Sequence, residues 1–470
     1  MEKRSCAPRR ALSFVLNCFR WDRSFARNVL LVALPMVIQQ LVASSLHIVD
    51  GLMVSALGDA AYSGVTQANR VTFMFNLFCF GTATGGSIFL SQYWGAQDIR
   101  RMRQAMGVTL GCSMLVAVLF FCAASLFPRQ IISLFLQEGE SFEQAVRYLR
   151  IVVFGYLFTA VDNVYATTMK AGEKTWLPML SGFVSIGVNT LFNWIFIFGN
   201  LGAPAMGVEG AAIATVLSAA VSMLMNMSFA YFLHLPAGAR LSEWLGGEKG
   251  FLRRFMKTVL PVILNEGLWG IGTTVYSVYY GRMGDVAVAA MGVCTTINDL
   301  VWVVIFALTN ATAIIIGKTL GAGDKERAYL YGKRMLAGAM TAGIALGVAV
   351  IFIRGPLVSV FGGLSEQVRS TAQTILLIGG ASIWFRAFNT VNVVGLLRSG
   401  GDTLFSMVLD VGTLWLVGVP LTGVAALALH WPMEWVYMCT FVEEIVKMVI
   451  GVPHFKSRKW MNVLTQEERA

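Results

Sequence analysis

The chain has 470 residues, of which 56% are hydrophobic and only 13% charged, with a mean hydropathy of +0.66 and a formal net charge of +10. Soluble domains carry roughly 25% charged residues, so this composition excludes a soluble globular protein and requires a polytopic membrane protein. The Lys and Arg residues sit in short clusters between apolar runs; that is a membrane-topology pattern, and it argues against a nucleic-acid partner.

Residues 1–27 form a basic tail with Arg4, Arg9, Arg10, Arg20, Arg23 and Arg27. Its apolar stretch, Ala11 to Phe19, runs into Arg20-Trp21-Asp22-Arg23 without a small-residue cleavage site, so it reads as a retained cytoplasmic tail. Apolar segments then follow near 28–54, 62–92, 105–127, 145–170, 176–199, 208–233, 257–281, 287–317, 335–353, 370–396, 404–424 and 433–453. Each is long enough to cross a bilayer, which takes about 20 helical residues. The expected fold is an all-α polytopic membrane protein with twelve transmembrane helices in two six-helix pseudo-symmetric lobes. The lobes are assigned to 28–233 and 257–453. A Gly-rich, mixed-charge cytoplasmic linker at 234–256 joins them, and 454–470 is a cytoplasmic C-terminal tail.

The two lobes rest on an internal repeat. A shift of 226 residues places Leu34-Pro35 on Leu260-Pro261, Gln40 on Glu266 and Gly58-Asp59 on Gly284-Asp285. The register continues to Gly95-Ala96-x-Asp98 on Gly321-Ala322-x-Asp324. Six helices per half is an even number, so both halves enter the membrane from the same side and the repeat is parallel. About 27 of the 36 Lys and Arg fall in the tails and alternate loops, which puts both termini in the cytoplasm.

The chemistry-bearing residues are few. Seven scattered cysteines without CxxC, and four scattered histidines, indicate neither a disulfide framework nor a zinc centre. No nucleotide-binding GxxxxGK[ST] occurs. No cofactor is expected, and an ion gradient, sodium or proton, is left as the energy source. Ionisable groups within spans are costly and mark function. Asp50 in the first span and Glu266 in the seventh are the candidate coupling carboxylates. His47 lies three residues before Asp50 on the same helix face. Asn265 precedes Glu266, and Pro35 and Pro261 are candidate hinges. Asn189 and Asn193 (i,i+4), Asn389 and Asn392 (i,i+3), Asp299 and Arg386 are candidates for lining a substrate cavity. Each amide offers a carbonyl to a cation and a donor to a substrate, though amides also hold helices together in lipid. Glu443, Glu444 and Lys447 in the twelfth span read as an intrahelical i,i+4 pair near the cytoplasmic end.

These residues carry a resemblance. Asp50-Gly51 with Leu57-Gly58, the paired GAQD and GAGD loops, AGEKTWLPM echoed by SGGDTLFSM, and GVEGAAIAT at the sixth span are similar to the multidrug and toxic compound extrusion (MATE) transporters of bacterial type. The resemblance implies a V-shaped pair of lobes with alternating access. It implies antiport of cationic or amphiphilic small molecules against sodium ions or protons, by a monomer in the plasma (inner) membrane whose remaining partner is lipid. Asp50 and Glu266 resemble the family's acids of spans one and seven. Asn193 and Asn389 stand where some members carry aspartates. Two other readings use the same spans: a flippase for lipid-linked or specialised-metabolite cargo, and an integral-membrane enzyme. The enzyme would need a nucleophile or metal cluster that the sequence does not display.

Overall fold

A computed structural model describes residues 22–245, 250–361 and 363–465. Among the described residues the regular structure is helical, and twelve long helices form in chain order. The first half holds α1 (Arg23–Ser55), α2 (Asp59–Gly95), α3 (Ile99–Leu126), α4 (Glu140–Ala171), α5 (Trp176–Phe198) and α6 (Val208–Phe232). The second holds α7 (Phe251–Arg282), α8 (Asp285–Gly321), α9 (Lys325–Ser359), α10 (Glu366–Leu397), α11 (Thr403–Ala428) and α12 (Met433–Ser457). A helix is the expected solution, because in hydrocarbon each backbone N–H and C=O must be satisfied within its own segment. Ten of the twelve are long and apolar enough to cross a membrane by length and composition alone. α7 and α12 fall short of that measure. The polar Asn265-Glu266 pair interrupts α7, and Glu443, Glu444 and Lys447 interrupt α12. The basic tail before Asp22 lies outside the described residues.

The internal repeat is visible in the backbone. α2 and α8 have the same length, 37 residues, and each follows a glycine in the same positive-φ conformation: Gly58 at 103° and Gly284 at 102°. α3 and α9 start alike as well. The Asp98 carboxylate accepts from the Arg101 N–H at 3.0 Å, and the Asp324 carboxylate accepts from the Arg327 N–H at 2.9 Å. Each aspartate satisfies one of the orphan donors of a helix start. Further on, the tight turns before α5 and α11 use left-handed residues in matching places, Glu173 at φ 61° and Gly401 at φ 79°.

The chain packs as two units, one of Leu34–Gly267 and one of Leu268–Ala470 joined by the start of α1 as far as Ala33. The divisions fall inside α1 and α7. In the C-terminal unit, Phe25 and Val29 of α1 are buried with Ile316, Leu320 and Met335. Asp22 pairs there with Arg334 at 2.8 Å. In the N-terminal unit, the opening turns of α7 mirror this: Phe255 stacks on Phe89 at 5.1 Å, and Val259 packs against Gly85. The N-terminal unit is otherwise centred on Phe75, Tyr156 and Leu149, and the C-terminal unit on Ile375, Val436 and Tyr437.

Small residues permit the closest helix contacts, as expected where apolar lipid supplies little drive for association. At Gly347 on α9, an added Cβ would lie 2.2 Å from the carbonyl oxygen of Gly380 on α10. Backbone cannot yield as a side-chain tip can, so Gly347→Ala should destabilise the protein by about 1–3 kcal/mol. Gly355 on the same helix has open space around it, so Gly355→Ala serves as the control. Thermal unfolding of the two purified variants compares them directly; equal midpoints would show that α9 and α10 are not in this contact.

Candidate functional site

The N-terminal unit contains a buried polar cluster built from α1 and α5. Two residues four apart on α5, Asn189 and Asn193, share a face and are 3% and 0% exposed. Asn193 Nδ2 donates to Asp50 Oδ1 at 2.5 Å and to Asn189 Oδ1 at 3.0 Å. Asn193 Oδ1 is buried without a hydrogen-bond partner. The hydroxyl of Tyr148 on α4 lies beside Thr215 of α6 and within Coulombic reach of Asp50. Tyr148 thus places α4 near the α1–α5 contact. The cluster offers anionic and amide oxygens in a small buried volume, the donor set that hard cations and protons use.

A second polar set lies between α4, α5 and α6. Asp162 accepts from Asn226 Nδ2 at 2.6 Å and from Ser222 Oγ at 2.9 Å. Ser181 Oγ donates to Asn226 Oδ1 at 2.9 Å, and Lys170 attracts Asp162 electrostatically. Both carboxylate oxygens are thus occupied by protein donors, which suits a helix-binding role.

Glu266 also belongs to the N-terminal unit. It is 8% exposed, and its Cγ would stand 3.2 Å from a Cβ placed on Gly81 of α2. Asn265 beside it is 1% exposed. The absence of a side chain on Gly81 is what lets α7 approach so closely. α1 and α7 run as helices through Pro35 and Pro261. The side chain of His47 lies outside the described residues.

The C-terminal unit holds a buried charge network that the sequence showed only in pieces. Lys447 Nζ donates to Asp410 Oδ1 on α11 at 2.7 Å, and lies 4.0 Å from Glu444 on its own helix. Arg398 approaches Asp410 at 3.9 Å. Asn389 Nδ2 donates to the Glu444 carboxylate and to its backbone carbonyl, both at 2.7 Å. The Tyr276 hydroxyl donates to Glu443 Oε2 at 2.8 Å. The intrahelical reading of Glu443, Glu444 and Lys447 is therefore corrected: the short contact of Lys447 runs between helices. A carboxylate on the next helix can align end-on with the ammonium, whereas an i,i+3 partner must reach along the helix surface.

Local backbone makes this network possible. α10 and α11 contain π-helical turns at Val391–Leu397, Leu414–Gly418 and Val424–Ala428, a form frequent at functional sites. A Cβ on Gly418 would lie 2.0 Å from Glu443 Oε2 and 2.1 Å from the Tyr276 hydroxyl. Only glycine admits that hydrogen bond. Asn389 and Asn392 both face α12, Asn389 through Glu444 and Asn392 against Gly451. They are 2% and 0% exposed, so they sit in a helix interface. Asp299 is exposed. Arg386 lines a cleft with Asn298, Trp302 and Tyr437.

Two homologous bundles of long apolar helices, each with ionisable groups buried in its interior, define a membrane transporter of the two-repeat kind. The chain belongs to the MatE family, whose pattern matches residues 35–195 and 261–424, one match in each half. It is 25% identical over 410 residues to the multidrug resistance protein MdtK of Yersinia pseudotuberculosis, covering 84% of this chain and 86% of that one. It is 21% identical over 448 residues to a probable multidrug resistance protein, NorM, of Thermotoga maritima, with 94% and 95% covered. Its fold is that of a MATE transporter crystallised with MaL6, at a TM-score of 0.83 and 20% identity over 94% of this chain and 97% of that one. A Vibrio cholerae MATE transporter, VcmN, in a mutant form, gives 0.84 at 16% identity, with 92% and 97% covered. Twelve transmembrane helices in two lobes are thus the architecture of this chain.

Proposed function

We propose that this protein is a secondary active efflux antiporter. It exports cationic or amphiphilic organic compounds in exchange for sodium ions or protons, as a monomer in the plasma membrane with both termini in the cytoplasm. The names of its relatives support the multidrug part of this reading. The observation that carries the coupling site is the hydrogen-bond imbalance at Asn193. Its buried Nδ2 serves both Asp50 and Asn189, while its Oδ1 has no partner. An amide oxygen without a donor, beside a carboxylate, is an unused ligand for a cation. Rotation of that amide brings the oxygen, the Asp50 carboxylate and the Asn189 carbonyl around one ion. Loading Asp50 with a sodium ion or proton removes the net negative charge that would hold a cationic substrate. The two cations then compete for one carboxylate, which is the thermodynamic requirement for exchange.

Glu266 supplies a second acid, and bending of α1 and α7 at Pro35 and Pro261 supplies the motion. The test is ethidium efflux from vesicles under an imposed sodium gradient or an imposed pH gradient. One gradient should drive efflux by the wild type, and Glu266→Gln should slow it at least about tenfold, or 1.4 kcal/mol. An unchanged rate in this variant would remove Glu266 from the coupling machinery. Absence of cation efflux under either gradient would favour the flippase reading, to which the cleft lined by Arg386 lends some support.

A further inference from the structure

The buried network of the C-terminal unit contains Asp410, Glu444 and Glu443, and these acids are not held alike. Asp410 accepts from the Lys447 ammonium at 2.7 Å and has Arg398 at 3.9 Å. Glu444 accepts from Asn389 at 2.7 Å and lies 4.0 Å from Lys447. Glu443 is 8% exposed, yet its one hydrogen bond among the described residues comes from a neutral group, the Tyr276 hydroxyl of α7, at 2.8 Å. No base among the described residues lies within ion-pair distance of it. Burying an unpaired carboxylate is costly, and the usual remedy is a proton.

The groups that face Glu443 leave that remedy open. On α12 they are Glu444 and Lys447, and the Lys447 ammonium is taken by Asp410 of α11. On α10 the group is Arg386, which acts on Glu443 at longer range and is held by the ring of Phe441 at 4.8 Å. On α7 they are Tyr276 and, beyond it, Tyr280, with Tyr437 and Cys439 of α12 around Tyr280. The backbone is shaped for the Tyr276 contact. Gly418 closes a π-helical turn of α11, and a Cβ there would collide with both Glu443 Oε2 and the Tyr276 hydroxyl. Thr422, four residues further along α11, is 0% exposed and its hydroxyl has no partner. A residue four positions on shares a helix face, so this face of α11 carries a second unspent polar group.

We propose that Glu443 takes up and releases a proton during transport, and that its hydrogen bond with Tyr276 passes the change of charge to α7. As a carboxylate, Glu443 holds Tyr276 by a charge-assisted bond. Protonation forms an O–H bond on the free oxygen, Oε1, breaks no covalent bond, and leaves a weaker neutral contact. The proton enters from one aqueous phase and leaves to the other. This rests on the antiport reading and deepens it: one coupling ion is a proton, and the C-terminal unit carries it.

The test is infrared difference spectroscopy of the full-length protein in lipid, between acid and alkaline buffer and without substrate. Wild type should gain a carboxylic-acid C=O band on acidification that Glu443→Gln lacks. Tyr276→Phe should keep the band and shift its frequency, because the hydrogen bond to the group is gone. Wild type without such a band overturns the proposal with no variant having to fold. A difference spectrum unchanged in Glu443→Gln overturns it, as does a band that vanishes in Glu444→Gln instead. In proteoliposomes under an imposed pH gradient, ethidium efflux should be about tenfold slower in Glu443→Gln than in wild type; an equal rate overturns the role in transport. Absence of ethidium efflux by wild type counts against the antiport reading, while the infrared band still decides whether Glu443 binds the proton.

Discussion

Asp50→Asn is expected to reduce ion-coupled ethidium efflux by about a hundredfold, equivalent to roughly 2.7 kcal/mol. The substitution keeps the shape of the side chain and removes its charge, so packing of α1 should persist. What is lost is the carboxylate for which, in the proposed mechanism, ion and substrate compete. The short contact with Asn193 provides a second-site test. In Asp50→Asn combined with Asn193→Asp, the carboxylate moves across that contact to α5 and remains beside Asn189. Transport should return in part. Efflux by Asp50→Asn at the wild-type rate would remove this cluster from coupling. Failure of the double variant alone would show that the acid must stand on α1.

The second large effect concerns stability. Lys447→Met should cost about 3–5 kcal/mol, because it leaves the Asp410 carboxylate buried without its 2.7 Å partner. Removing both charges should be far milder: Lys447→Met combined with Asp410→Leu trades a buried pair for apolar contacts, a change that is often neutral. Thermal unfolding in detergent, followed by the loss of monodisperse protein, ranks the three forms. A single variant as stable as wild type would mean that water reaches Asp410 and that the network is not sealed.

The twelve spans and the two-fold repeat were legible because a bilayer imposes length and apolarity on every segment, whatever its tertiary contacts. The Asp50 cluster was legible in part. An i,i+4 spacing fixes Asn189 and Asn193 on one face, but only packing brings α1 to that face. The charge network of the C-terminal unit was harder. Asp410 and Lys447 lie 37 positions apart, and spacing rules that hold within one helix say nothing about partners on the next. A signal existed: Asp410 is a lone acid in its span and Lys447 a lone base in the neighbouring one, and in lipid such charges seek one another. Glu266 shows the other limit. Sequence position assigned it to the second lobe, yet it packs on Gly81 within the first unit. Asn389 and Asn392, candidates for a cavity in the sequence, lie against α12. A buried amide looks the same in sequence whether it faces a ligand or a helix.

The central claim, that Asp50 with Asn193 and Asn189 exchanges a coupling ion for an organic cation, is tested most directly by letting the substrate gradient alone drive the exchange. Proteoliposomes are loaded with ethidium and diluted into ethidium-free buffer, with no imposed sodium or pH gradient. The outward ethidium gradient should then drive sodium ions or protons inward, against no gradient of their own, in wild type and not in Asp50→Asn. Ethidium leaving wild-type vesicles with no counter-movement of either ion would contradict the account, as would ion movement unchanged in Asp50→Asn.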